Sequence, residues 1–300
     1  MASPSQHDQA QAQLAFIQQQ DAAHHLHPFT DPAVFRQAPP FVIQSATGCV
    51  VTGQGVQLLD AMAGLGCVNI GYSRAEMAAE AEVAIRELSY YHSFAGVTNP
   101  WAAQLAGRVA AHMPAGLKRM FFANSGSEAN ETILKLIRAY WRGKGAEGAG
   151  RRKIISRMKA YHGSSMATTA LNGRTDMTEP FGLDTSDIVL VEEPFWYRNG
   201  GKLSPADYGI KAARAIEEAI VREGADTVAA IFIEPIQGTG GAIIPPETYA
   251  GELMRIKERY GVLLVADEVL TGMGRTGYWT ASEAMGLDPD FISLAKGLSS

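Results

Sequence analysis

From residue 118 onward, short apolar runs alternate with longer segments in which apolar residues recur every three to four positions. The runs KRMFFAN (118–124), RKIISR (152–157), DIVLVE (187–192), VAAIFIE (228–234), VLLVADE (262–268) and FISLA (291–295) read as strands. The segments 127–142, 205–222 and 246–260 between them read as helices. Continuous apolar strands joined by helices predict an α/β fold with a mainly parallel central sheet covered by helices on both faces. The first of these helices puts Ile133, Leu136, Ile137 and Tyr140 at i, i+3, i+4 and i+7, which predicts that this stripe faces the core.

Before residue 118 the pattern differs. FVIQSATGCVVTGQGVQLLD (41–60) has short β-branched runs separated by Gly and Ser/Thr turns, which predicts a small antiparallel meander. Segments 74–88 and 99–113 have helical spacing. The Gln/Ala-rich opening predicts a mobile tail leading into a short helix, and it lacks the basic and apolar regions of a signal peptide. The expected division is an N-terminal arm and meander over 1–72, then one large domain over 73–300. GKGAEGAGR (143–151) reads as a solvated connector, because no strand directly precedes it as a phosphate cradle would require.

Charge and cysteine content narrow the function classes. A formal net charge of -5 gives no electrostatic reason to expect nucleic acid or an anionic membrane as partner. No stretch approaches the roughly 18 apolar residues of a membrane span. The two cysteines, Cys49 and Cys67, form neither a metal-ligand spacing nor a disulfide framework. A reducing compartment, with cytoplasm as the default, follows from that usage.

The residues able to do chemistry fall at the predicted strand ends, where ligands gather in an open parallel sheet. In FFANSGSEAN, Gly126 and Ser127 can offer backbone N–H groups to a phosphate; Ser127 as a plain helix cap is the alternative. Tyr161 in KAYHGSS offers a face for a heteroaromatic ring, with His162 beside it, although packing alone explains such a pair. Glu234 in IFIEPIQGTGG needs a partner or a raised pKa if buried, and a helix cap or an arginine would also account for it. Asp267 and Glu268 together suggest Mg²⁺, but the accompanying Gly-rich loop ending in Lys-Ser/Thr is missing. Lys296 follows the last strand and, read alone, is an exposed end residue. Read together, these positions make a phosphate cup, a stacking aromatic, an acid for a ring nitrogen and a lysine able to form an imine.

FFANSGSEAN, YHGS, EPIQGTGG, LLVADEVLTGMGRTG and AKGLSS resemble the class III, fold type I aminotransferases that use pyridoxal 5'-phosphate (PLP). DAAHHLHPFTD (21–31), DAMAGLGCVNIGY (60–72) and IPPETY are most like the ω-amine:pyruvate aminotransferases within that class. The resemblance implies transfer of an amino group from an ω-amine or ω-amino acid to pyruvate or a similar oxo acid. It makes Lys296 the Schiff-base lysine and Asp267 the partner of the pyridinium N–H. Gly126 and Ser127 bind phosphate, Tyr161 and Val269 flank the ring, and Glu234 and His162 stand in the polar shell. Phe29 lines the substrate pocket, and Gly66 stands where related enzymes carry a Trp. His24, His25 and His27 become structural residues, with no metal expected.

The resemblance further implies a homodimer and a C-terminal small domain lying past the lysine and absent from these 300 residues. A Thr reaching the partner's phosphate site and an Arg for the substrate carboxylate belong to that later region. Other class III reactions, an aminomutase or a decarboxylase, share the same lysine machinery, and a catalytically incompetent fragment is the remaining alternative.

Overall fold

The computed structural model describes residues 5–35 and 37–299, which form two compact units divided between Tyr90 and Tyr91. The first unit opens with a helix over Gln6–His24, 19 residues long rather than short. Its start is fixed by a capping box, in which Ser5 Oγ accepts from Asp8 N and Asp8 accepts from Ser5 N. None of its side chains is buried, so helix-forming Ala and Gln together with the cap sustain it. At its end Asp21 accepts from His25 Nδ1 (2.9 Å) and His27 Nε2 (2.8 Å), one imidazole on each oxygen. These three side chains are the one group of possible metal ligands found among the described residues.

The meander follows as β1 (Ser45–Thr47), β2 (Val50–Gly53) and β3 (Val56–Leu59), paired antiparallel in the order β1-β2-β3. Asp60 then organises the next loop by accepting from Gly64 N (2.7 Å) and Tyr72 OH (2.6 Å). A helix over Ala75–Glu87 completes the unit.

The second unit begins with a helix over Pro100–His112, whose N-cap Asn99 accepts from Ala102 N. Its sheet contains β4 (Lys153–Arg157), β5 (Ile188–Val191), β6 (Val228–Ile233), β7 (Leu263–Asp267) and β8 (Phe291–Ser293). All neighbours are parallel in the order β5-β4-β6-β7-β8. Successive side chains alternate between the two faces of the sheet. On one face Ile155, Ile231, Ile233 and Leu264 meet Ala213, Ile216 and Ile220 of the Pro205–Glu223 helix and Leu253 and Ile256 of the Thr248–Tyr260 helix. On the other, Ile154, Phe232 and Val265 meet Ile133, Ile137 and Trp141 of the Gly126–Gly143 helix. Every residue of the central strand β6 is buried, as its unbroken apolar sequence requires.

Two further expectations are corrected. Residues 118–124 form no strand: the sheet has no hydrogen-bonded neighbour for them, and Phe121 and Phe122 are exposed. A composition favourable to a strand is not sufficient without a partner for its N–H and C=O groups. In the Gly126–Gly143 helix the buried face is Asn130, Ile133, Ile137 and Trp141, while Leu136 and Tyr140 are exposed. The covered stripe is therefore rotated towards Trp141, whose indole N–H donates to Ala229 O at 2.9 Å. No helix among the described residues is long and apolar enough to cross a membrane.

Candidate active site

Parallel pairing brings the carboxyl ends of β4, β6, β7 and β8 to one edge of the sheet. Asp267 closes β7 and is paired in register with Ser293, the last residue of β8. It is only 4% exposed, yet four donors converge on its carboxylate. Asn130 Nδ2 and His162 Nδ1 each donate to Oδ2 at 2.8 Å. Val269 N (3.1 Å) and Ser293 Oγ (3.2 Å) donate to Oδ1. The neighbouring Glu268 serves another purpose. Its carboxylate accepts from Thr271 Oγ1 (2.5 Å), Ala281 N (2.9 Å) and Ser282 N (2.7 Å), capping the short helix over Ala281–Met285. Two acids adjacent in sequence thus take separate partners, as alternation along a strand leads one to expect.

Lys296 follows three residues after Ser293, in a single turn of 3-10 helix over Lys296–Leu298. It is partly buried, with a left-handed φ of 44°. An L-residue there costs about 1–2 kcal/mol relative to the right-handed form, so the surrounding chain imposes this conformation.

The loop after β4 supplies Tyr161, His162 and Gly163. Tyr161 N donates to Glu234 Oε1 (3.0 Å), and Gly238 N donates to Glu234 Oε2 (2.8 Å). Glu234 therefore ties the ends of β4 and β6 together. Burial raises its pKa above the ordinary glutamate value, and the Asp267 charge adds to that rise; His162 and the two N–H donors oppose it. The His162 ring stands edge-on to Phe232, with centroids 4.7 Å apart. Its Nε2 is buried with no partner among the described residues.

At the start of the Gly126–Gly143 helix, Ser125 rather than Ser127 is the cap, accepting from Glu128 N at 3.2 Å. That leaves Gly126 and Ser127 in the first turn, where backbone N–H groups lack intrahelical acceptors. Ser127 Oγ accepts from Ser164 N at 3.0 Å, so this turn is joined to the Tyr161 loop. Two glycines make the close approach possible. A Cβ on Gly126 would lie 2.8 Å from Val269 Cγ2, and one on Gly163 would lie 2.6 Å from Ser127 Oγ. Gly163 also has a φ of 142°.

The structure thus brings together Gly126, Ser127, Tyr161, His162, Glu234, Asp267, Val269 and the segment bearing Lys296. Phe29 and Gly66 belong to the first unit, both with positive φ (52° and 79°); Phe29 is exposed. Sequence reasoning missed Asn130, Ser293 and Asn172. Asn172 accepts from His162 N (2.6 Å) and donates to Gly163 O (3.0 Å). Asn130 had a readable signal, being a polar residue at i-3 and i-7 from Ile133 and Ile137 on the apolar stripe.

The family model described as Aminotransferase class-III matches residues 33–300. This chain belongs to the class III aminotransferase family. Its fold is accordingly that of the fold type I PLP transaminases, with a parallel central sheet and an N-terminal antiparallel three-stranded sheet. Among curated class III relatives, the putrescine–pyruvate aminotransferase of Pseudomonas aeruginosa is 41% identical over 278 residues, covering 92% of this chain and 60% of that protein. An (S)-enantioselective omega-transaminase from Thermomicrobium roseum superposes with a TM-score of 0.91 at 37% identity, covering 94% of this chain and 63% of the other. The omega transaminase of Pseudomonas jessenii, solved in complex with PMP, gives a TM-score of 0.89 at 33% identity, covering 93% and 62%. The chain therefore spans somewhat under two thirds of the length of these class III proteins.

Proposed function

We propose that this chain carries the cofactor machinery of a PLP-dependent transaminase that moves an amino group from an ω-amine or ω-amino acid to pyruvate or a similar oxo acid. The observation that carries the proposal is Asp267, buried at the end of β7 under four donors, one strand from the segment bearing Lys296. The names of the relatives support the donor and acceptor classes.

The residues fit the cofactor. The first-turn N–H groups of Gly126 and Ser127, at the positive end of a helix dipole, suit a phosphate. Gly163 keeps the facing loop close enough to complete that cup. Asp267 is an acceptor for a ring N–H, with Tyr161 and Val269 as the flanking surfaces. Glu234 and His162 form the polar shell. Lys296 is the covalent anchor for the aldehyde carbon.

When bound, PLP supplies an aldehyde that exchanges amines and a protonated ring that accepts the electron pair released at the donor carbon. The chain's own residues provide the rest. Lys296 Nζ acts as the base on the amine-bearing carbon of the donor. The Asp267 carboxylate, oriented by Asn130, His162, Val269 and Ser293, keeps negative charge at the ring nitrogen. The phosphate cup retains the cofactor whenever it is not anchored to Lys296. A cytoplasmic homodimer belongs to the same proposal.

The test is alanine formation from pyruvate with a panel of diamines and ω-amino acids, using purified protein and PLP. A visible absorbance band and pyruvate-dependent alanine are expected. Loss of the donor amine without any oxo acid would indicate mutase chemistry, and absence of both band and alanine would overturn the proposal.

A further inference from the structure

Asn130 is 1% exposed and stands on the otherwise apolar stripe of its helix. Both hydrogens of its amide are committed: Nδ2 donates to Asp267 Oδ2 at 2.8 Å and to the main-chain carbonyl of His162 at 2.8 Å. Both partners are acceptors, so the orientation of the amide is fixed, and Oδ1 is left buried without a partner among the described residues. A buried polar side chain that leaves one of its own atoms unsatisfied carries a stability cost. An apolar side chain would continue the stripe formed by Ile133, Ile137 and Trp141.

We infer that Asn130 is a positioning residue: it locks the Asp267 carboxylate and the Tyr161–Gly163 loop into one rigid unit at the sheet edge. Only a side chain with two donors on one atom makes both contacts. His162 Nδ1 reaches the same oxygen, so Asn130 and His162 together fix the rotation of the carboxylate, while Val269 N and Ser293 Oγ fix its other edge. The charged face presented to a ring nitrogen is set by a residue on a helix that is remote in sequence. This inference rests on the proposal that PLP places its ring nitrogen at Asp267.

The experiment follows the ¹⁵N resonance of ring-labelled PLP in the wild-type protein, Asn130→Ala and Asn130→Asp, together with steady-state kinetics. The wild type should show a protonated ring nitrogen across neutral pH. Asn130→Ala should move that resonance towards the unprotonated position and lower kcat by roughly tenfold to a hundredfold, the equivalent of one hydrogen bond to a charged group. KM for the amine donor should stay nearly constant. Asn130→Asp preserves volume if the alanine variant folds poorly. It sets two carboxyl groups within hydrogen-bond distance, which must share a proton, so the ring resonance should become pH-dependent. Wild-type resonance and kcat in both variants would overturn the inference while leaving the PLP proposal intact. A wild-type protein that gives no bound-cofactor resonance would remove both.

Discussion

Replacing Asp267 with Asn preserves the shape of the side chain and exchanges one acceptor oxygen for a donor. Each carboxylate oxygen faces two donors, so the new NH₂ group confronts two of them in either orientation. The less costly orientation points it towards Ser293, whose hydroxyl can turn to accept, and leaves the Val269 N–H unpaired. Leaving that part-buried N–H without its partner costs up to about 1–3 kcal/mol, and the two bonds from Asn130 and His162 weaken from charged to neutral, each losing about 1 kcal/mol. The sum is roughly 3–5 kcal/mol, a large part of the roughly 5–15 kcal/mol that holds a typical domain folded. Urea denaturation of the cofactor-free protein should report that loss. With saturating PLP, the transamination rate should fall about 10²- to 10³-fold, the range for removing one preorganised electrostatic group. A variant that keeps the parent stability and turns over at the parent rate would refute the reasoning.

Glu234→Gln should change how stability depends on pH. Because the folded-state pKa of Glu234 is raised, the folded protein holds its proton over a window where the unfolded chain has lost it, so stability falls as pH rises through that window. The stability of the parent relative to the variant, measured by thermal melts at a series of pH values, should fall with rising pH; a constant difference would contradict the assignment. Gly126→Ala should destabilise by about 1–3 kcal/mol through overpacking against Val269 and weaken PLP retention, and Val269→Ala in the same chain should recover the stability. Phe232→Ala, at a fully buried position beneath the His162 ring, should cost about 3–5 kcal/mol by denaturation.

Strands buried on both faces were the most legible part of the sequence. VAAIFIE and VLLVADE contain no polar interruption until the carboxylate that ends each run, so both the strand and the site residue were marked by the same change of character. Segment 118–124 shows the limit of that reasoning. Its composition suits a strand, but strand formation depends on a neighbour that local sequence does not reveal. Periodicity identified the Gly126–Gly143 helix, yet Ile133 and Ile137 are compatible with a stripe ending at Tyr140 or at Trp141, and tertiary contact with Ala229 chose Trp141. Asp267 and the segment bearing Lys296 could be placed at the sheet edge because both follow apolar runs. The hydrogen bonds of Asn130 and Ser293 to Asp267 were not, since they span 137 and 26 residues of chain. The length of the first helix was underestimated because it has no apolar face to read, and its capping box sits in an unremarkable Gln/Ala-rich stretch.

The central claim is that Lys296 is the residue that takes the aldehyde of PLP. Incubation of the protein with PLP, reduction with borohydride, proteolysis and mass spectrometry would locate the fixed label. A single label on Lys296, abolished in Lys296→Ala together with turnover, is the predicted result. A label on another lysine, or full transamination by Lys296→Ala, would contradict the account.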